Sequence, residues 1–176
     1  MLKLLFATSE ASPFIQTGGL AEVCGSLPKS LARLGCEVRL VLPAYGAMTR
    51  ALAGLTTRCT LAVPGYAEPC TVLSLVLEPR LELWLIDCPP LFDRPGGPYA
   101  GPDGLDFPDN AYRFAFFCHA VTALVARGDW RPDVVHAHDW PSALLPALLT
   151  RAPTRPRTVF TIHNLAFRGL CSRAAF

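Results

Sequence analysis

Two hydrophobic periods alternate along the chain. Residues 2–8 are a short apolar run closed by the polar pair Thr8 and Ser9, the profile of a strand covered on both faces. Beyond a loop over 9–19, apolar side chains recur at Leu20, Val23 with Cys24, Leu27, Leu31 and Leu34. That spacing predicts a helix, with Gly35 as its stop. Pro28 falls inside it and predicts a kink or a division, since proline removes an amide donor. Residues 37–42 read as a second strand, closed by Pro43. Strand, helix and strand in so short a span imply a right-handed βαβ unit and a parallel sheet.

The middle of the chain has a different rhythm. Residues 57–63, 70–77 and 81–87 are strand patterns separated by Pro and Gly with no helix between them, which predicts antiparallel hairpins. A loop rich in Gly, Pro and Asp covers 89–108. A long amphipathic helix follows, with Phe114, Phe117, Cys118, Val121, Leu124 and Val125 on one face. A strand over 133–137, a helix over 141–150 and a strand over 157–162 form a second βαβ pattern. The Pro/Arg-rich stretch 151–157 reads as a tight connection. The expectation is a single α/β domain over 1–176: a Rossmann-like, mostly parallel sheet with helices on both faces and a β-hairpin-rich insertion around 57–87. A doubly wound sheet should cover the strand at 157–162 with further elements, so the chain is expected to be an incomplete domain.

Composition narrows the class. Of 176 residues, 51% are hydrophobic and 17% charged, with a formal net charge of +2, which excludes an unfolded polyelectrolyte. Sixteen Lys and Arg against 14 Asp and Glu leave no basic excess for nucleic acid or an anionic membrane. The apolar run near the N-terminus is too short for a secretory signal. The longest apolar stretch, 114–126, is interrupted by His119 and falls short of the roughly 20 residues of a membrane helix. The seven cysteines, Cys24, Cys36, Cys59, Cys70, Cys88, Cys118 and Cys171, are odd in number, scattered, and never spaced C-x-x-C. They read as free, mostly buried thiols of a reducing cytoplasm.

Three polar clusters stand at predicted strand ends, where open parallel sheets bind ligands. Gln16-Thr-Gly-Gly-Leu20 precedes the first helix. Paired glycines let a backbone approach a phosphate, although the same pair also serves as an ordinary turn. His136-Ala-His138-Asp139-Trp140 ends a strand and places both histidines on one face. The set reads either as a zinc site of a hydrolase or as a hydrogen-bonded loop against a polar ligand, and no third His or Cys lies at ligand spacing nearby. His163-Asn164, past the last strand, is by itself an ordinary polar loop. If the strands are parallel, all three converge on one crevice.

Together these segments resemble the bacterial glycogen synthases and plant starch synthases. The matching stretches, in order, are Ser9-Glu-Ala-Ser-Pro-Phe14, Thr17-Gly-Gly-Leu-Ala-Glu-Val-Cys-Gly-Ser-Leu-Pro28, Val41-Leu-Pro-Ala-Tyr45, Leu85-Ile-Asp87, Asp93-Arg-Pro-Gly-Gly-Pro-Tyr99, Asp109-Asn110, Trp130-Arg-Pro-Asp-Val-Val-His-Ala-His-Asp-Trp140 and Phe160-Thr-Ile-His-Asn-Leu165. The resemblance implies the N-terminal domain of a GT-B glycosyltransferase, with the C-terminal Rossmann-like domain absent. It implies transfer of glucose from ADP-glucose, or a related nucleotide sugar, to the non-reducing end of an α-1,4-glucan with retention of configuration, in the cytoplasm, with no cofactor and no catalytic metal. By the same resemblance Asp139 and His163 lie at the reacting centre. Gln16, Gly18, Gly19 and Asn164 lie by the donor, and Tyr99, His138 and Trp140 by the acceptor cleft.

The chain departs from the family pattern in four places. Gln16 stands where the family usually has Lys, Glu22 for Asp, Pro141 for His and Phe92 for Tyr. Without the second domain, which in the family holds the nucleotide, the chain alone is expected to show no transfer. The competing expectations are a glucan-binding remnant or regulatory module without activity, and a zinc hydrolase built on His136, His138 and Asp139.

Overall fold

The computed structural model describes residues 1–152 and 155–171, so the connection expected over 151–157 lies partly outside the described residues. The elements run β1 (Lys3–Ala7), α1 (Gly19–Arg33), β2 (Glu37–Pro43), α2 (Gly46–Ala51), β3 (Thr56–Leu61), β4 (Cys70–Glu78), β5 (Leu81–Asp87), α3 (Pro89–Phe92), α4 (Asn110–Arg127), β6 (Val134–His138), a 3₁₀ turn (Trp140–Ser142), α5 (Leu145–Leu149) and β7 (Arg157–Thr161). The strands form one sheet in the order β3-β4-β5-β2-β1-β6-β7.

Five neighbours, β5, β2, β1, β6 and β7, run parallel. β4 is antiparallel to both β3 and β5. The hairpin-rich stretch is thus built into the main sheet, because β5 pairs with β2 from Val38↔Leu81 to Pro43↔Ile86. Leu5, Phe6, Leu40, Leu42, Leu83 and Leu85 are all essentially inaccessible to solvent. Adjacent buried positions on one strand require cover on both faces, and each such side chain contributes roughly 1.5–3 kcal/mol of burial.

Helix α1 is continuous through Pro28. Its end is a Schellman motif: the Cys36 amide donates to the Leu31 carbonyl and the Gly35 amide to the Ala32 carbonyl, with Gly35 at φ +95°. Its second turn carries the loop after β1. The Ser12 amide donates to the Ala21 carbonyl at 2.8 Å, and a Cβ at Gly25 would stand 2.3 Å from the Ser12 carbonyl oxygen. Only glycine lets that loop lie against the helix, which fixes the loop's path from β1 to the start of α1.

The helix expected over 141–150 is instead the 3₁₀ turn followed by α5. Short helices α2 and α3 occupy stretches that carried no helical signal. Helix α4 forms as expected and also buries Arg113, which is 1% exposed. Its guanidinium donates to the carbonyls of Leu91 (2.7 Å) and Pro98 (3.0 Å) and to Asn110 Oδ1 (2.6 Å), pinning the 89–108 loop. All seven cysteines are free: four are buried, Cys36 and Cys59 half-buried, and Cys171 exposed. β7 is the edge strand and is largely exposed, with Val159 and Phe160 at 46% and 40%.

Candidate functional site

The carboxyl ends of β1, β6 and β7 open into a cavity of about 590 Å³, within the range of small-ligand sites. Its walls include Glu10, Thr17, Gly18, Gly19, Tyr99, Asn110, Asp139, Trp140, His163 and Asn164. The three polar clusters, separated by up to 145 positions in sequence, therefore do meet.

One wall is the start of α1. Gly18 is its N-cap in extended conformation, with no side chain capping the first turn. The first amides of a helix lack intrahelical partners and carry its positive dipole end. A Cβ at Gly18 or Gly19 would meet nothing within 4 Å, so the space beside these amides is open.

The loop that presents these glycines is held by Glu10, which is only 3% exposed. Its carboxylate accepts from the Thr17 hydroxyl (2.8 Å), the Thr17 amide and the Tyr99 phenol (2.6 Å). Ser9 donates to the Tyr99 oxygen at 2.7 Å. Burial first, then the neighbouring Tyr45 and Glu10, raise the Tyr99 phenol well above its ordinary pKa, so it stays a donor. Asn110 holds the Tyr99 carbonyl at 2.8 Å and receives Arg113 on its own carbonyl. A chain of hydrogen bonds thus runs from the buried guanidinium to the glycine loop.

The opposite wall is the tip of β6. Asp139 sits at φ +55°, ψ −179°, a region non-glycine residues rarely occupy. Such strain persists where surrounding bonds over-determine it, and it gathers at functional sites. Here the Asp139 amide donates to the Thr161 carbonyl, its Oδ1 accepts the His163 amide at 2.7 Å, and its carbonyl accepts the Ser142 amide. The carboxylate is thereby aimed across β7 toward His163. Trp140 packs edge-on against Phe114 at 4.8 Å and lies 6.0 Å from the Tyr99 ring.

His136 and His138 do share a face, with ring centroids 4.0 Å apart. They do not converge with Asp139 on a metal. His136 Nε2 bonds the Thr161 hydroxyl at 2.7 Å. His138 is 1% exposed, stacks on Phe6, and meets His163 Nε2 through its Nδ1 at 3.0 Å. Among the described residues the group able to hold a metal is Cys24, His138 and His163. Burial first, then the adjacent His136 and His163, push the His138 imidazole down to about 3.

Two expected residues stand off the cavity wall. His138 lies behind His163, and Gln16 is exposed on the loop next to Thr17. Phe92, the residue in place of the family Tyr, is buried against Tyr45 and away from the cavity, whereas Pro141 lines it. Glu10 and Asn110 carried no local signal beyond their place in matching stretches, because the partners that define them lie 89 and 11 positions away.

A mostly parallel sheet with its polar cavity at the strand tips and an exposed parallel edge is one lobe of a GT-B glycosyltransferase catalytic domain. The chain belongs to the starch synthase catalytic domain family, which matches residues 3–176. It is 49% identical to glycogen synthase 2 of Nitrosococcus oceani over 179 residues, covering 100% of this chain and 36% of that protein. It is 48% identical to a glycogen synthase of Thioalkalivibrio sulfidiphilus, covering 99% of this chain and 37% of the relative. It superposes on the catalytic domain of starch synthase IV from Arabidopsis thaliana, solved with ADP and acarbose, with TM-score 0.81 and 26% identity over 99% of this chain and 36% of that one. Sucrose-phosphate synthase of Thermosynechococcus elongatus shares the fold, with TM-score 0.58 at 14% identity. The chain spans a little over a third of the length of these curated relatives.

Proposed function

We propose that this chain supplies one wall of the site of a cytoplasmic retaining glucosyltransferase. That enzyme moves glucose from ADP-glucose to the non-reducing end of an α-1,4-glucan. The observation that carries the reading is the meeting of Gly18, Gly19, Asp139 and His163 on one cavity. The ADP and acarbose bound by the Arabidopsis relative support a nucleotide-sugar donor and a glucan-like acceptor. The free thiols and the lack, among the described residues, of a helix able to cross a membrane agree with that compartment.

Breaking the anomeric C–O bond places positive charge on the sugar ring and negative charge on the departing diphosphate. Fixed dipoles that meet this charge as it develops lower the barrier without reorganising. In this reading the open amides of Gly18 and Gly19 face the diphosphate, while His163 and Asn164 hold the glucose hydroxyls. Asp139 lies by the anomeric centre, where its carboxylate opposes the positive charge. Tyr99 and Trp140 border the acceptor. The acceptor hydroxyl attacks the anomeric carbon from the face the leaving group departs, and its proton goes to the leaving phosphate oxygen. Residues 1–176 form a single N-terminal domain of this enzyme, and the nucleotide's other contacts belong to a second Rossmann-like domain.

The test is a chimera of this chain with the remaining two thirds of the Nitrosococcus oceani relative, assayed for glucose incorporation into glycogen. Transfer is expected, and it should fall by about 10²–10³-fold on Asp139→Asn, the scale of removing one preorganised electrostatic group. Unaltered transfer in that variant, with the chimera folded and active, overturns the assignment. Binding of glucan without transfer in a folded chimera favours the remnant reading.

A further inference from the structure

We propose that Cys24, His138 and His163 form a binding site for a thiophilic divalent cation, of which zinc is the representative. The three residues come from α1, the end of β6 and the loop after β7, and their ligand atoms all lie within 4.8 Å of one another. One thiolate and two imidazoles are a donor set suited to zinc, with bonds of roughly 2.3 Å to sulfur and 2.0–2.1 Å to nitrogen. Closure draws the sulfur and the nitrogens in from at most 4.8 Å toward the roughly 3.5 Å that tetrahedral bonds of these lengths set. The His138 and His163 nitrogens stand 3.0 Å apart around a shared proton, and a cation taking that proton's place pushes them apart by a few tenths of an ångström.

The surroundings favour this occupant over a purely structural cluster. His138 Nε2 is buried without a hydrogen-bond partner, so the ring's proton can rest there, with no other bond broken, while Nδ1 turns to the cation. Thiolate is the ligating form of cysteine, so cation binding expels one proton from Cys24 and affinity rises with pH. Entry is through the cavity, whose wall carries Glu10, Asp106 and Asp139 and neither Lys nor Arg. Water on the cavity side completes a tetrahedral shell.

The consequence rests on the proposed function: a cation on His163 takes the ring that would face the transferred glucose, so cation and donor exclude one another. The site itself is tested without nucleotide sugar, so failure of one reading leaves the other standing. The purified chain is titrated with Co²⁺, then with Zn²⁺ against a chromophoric chelator. One equivalent is expected, with a thiolate-to-cobalt charge-transfer band and tetrahedral d–d absorption. Affinity should drop in Cys24→Ser and in His163→Ala by more than the ~10–100-fold that losing an outer partner costs, and stay unchanged in Cys171→Ser. His163 lines the cavity, so its truncation reports on the site even where Cys24→Ser fails to fold. Binding that survives His163→Ala, or that follows Cys171, overturns the proposal, as does cobalt binding without the thiolate band.

Discussion

Two polar clusters occupy opposite ends of the parallel strands, and they use similar side chains for opposite purposes. Toward the amino ends, Arg39 of β2 is 8% exposed and lies over Trp130 at 4.9 Å and near Trp84 at 5.4 Å. It pairs with Glu37 (2.7 Å) and Glu82 (3.1 Å), while the two indoles donate to the same carboxylates at 2.7 and 2.9 Å. Apart from Arg39 Nε, which is buried without a partner, the donors and acceptors named here are consumed inside the cluster. At the carboxyl ends, the Gly18 and Gly19 amides face open space, Asp139 is strained, and His138 Nε2 has no partner. Residue type does not mark a site. A surplus of unused, aimed groups beside a cavity does. The stretch from Trp130 to Trp140 runs from one cluster to the other through β6, so a single matching stretch carries a structural half and a functional half.

The largest way to break this contrast is Arg39→Met. It leaves Glu37 and Glu82, each about a fifth to a quarter exposed, without their counter-charge, which costs about 2–3 kcal/mol after allowing for that exposure. In a chain of this size the thermal midpoint should fall by roughly 4–12 °C. Cobalt binding at Cys24, His138 and His163 should be unchanged in the folded protein. A cobalt affinity that falls with the melting point would show that the two ends are one unit.

A smaller effect separates the clusters by pH. Burial and the adjacent His136 and His163 push the His138 imidazole from its ordinary 6.5 down to about 3 in the folded chain, so the unfolded chain binds this proton first. The stability it contributes is complete above about pH 6.5 and is lost as pH falls from 6.5 toward 3, at up to about 1.4 kcal/mol per pH unit. Denaturant midpoints between pH 7 and 5 should show this slope. His138→Phe should flatten it, whereas Arg39→Met should keep it, since that cluster holds no histidine. An equal slope in both variants would remove His138 as its source.

The same contrast explains what the sequence could disclose. β1, α1 and β2 are local: a buried run, a helical period and a glycine stop dictate them, and Gly35 closes α1 as its position predicts. The place of β3, β4 and β5 in the main sheet depends on β5 finding β2, a pairing across some 40 residues that no local pattern encodes. In the site, Asp139, His163 and the glycines were legible because they punctuate strand ends. Glu10 was not, because its role comes from Thr17 and Tyr99. Cys24 read as one small hydrophobe among others on α1, and only the packing of α1 over the β6 tip sets it beside two imidazoles. His138 was expected by the cleft on the resemblance, and alternation gives the face of a strand but not its depth.

The smallest effect sharpens the functional end. The cavity wall in this chain holds three carboxylates and no Lys or Arg, while in the proposed reaction a departing diphosphate gains negative charge. Neutral amides at a helix start attract an anion by roughly 0.3–1 kcal/mol, too little to offset Glu10, Asp106 and Asp139 on the same wall. The residue at the usual position of a compensating ammonium is Gln16, exposed on the loop beside Thr17. Its amide can donate but carries no charge. A Lys there lies within reach of the space beside Gly18, where it adds one charge-assisted bond in partial solvent. In the chimera, Gln16→Lys should therefore tighten ADP-glucose about tenfold, the lower end of what such a bond contributes, measured as the fall in donor KM. The gain should weaken with added salt, because the lysine is exposed. A donor KM unmoved at low salt would place the diphosphate away from the α1 start and return Gly18 and Gly19 to the role of a turn.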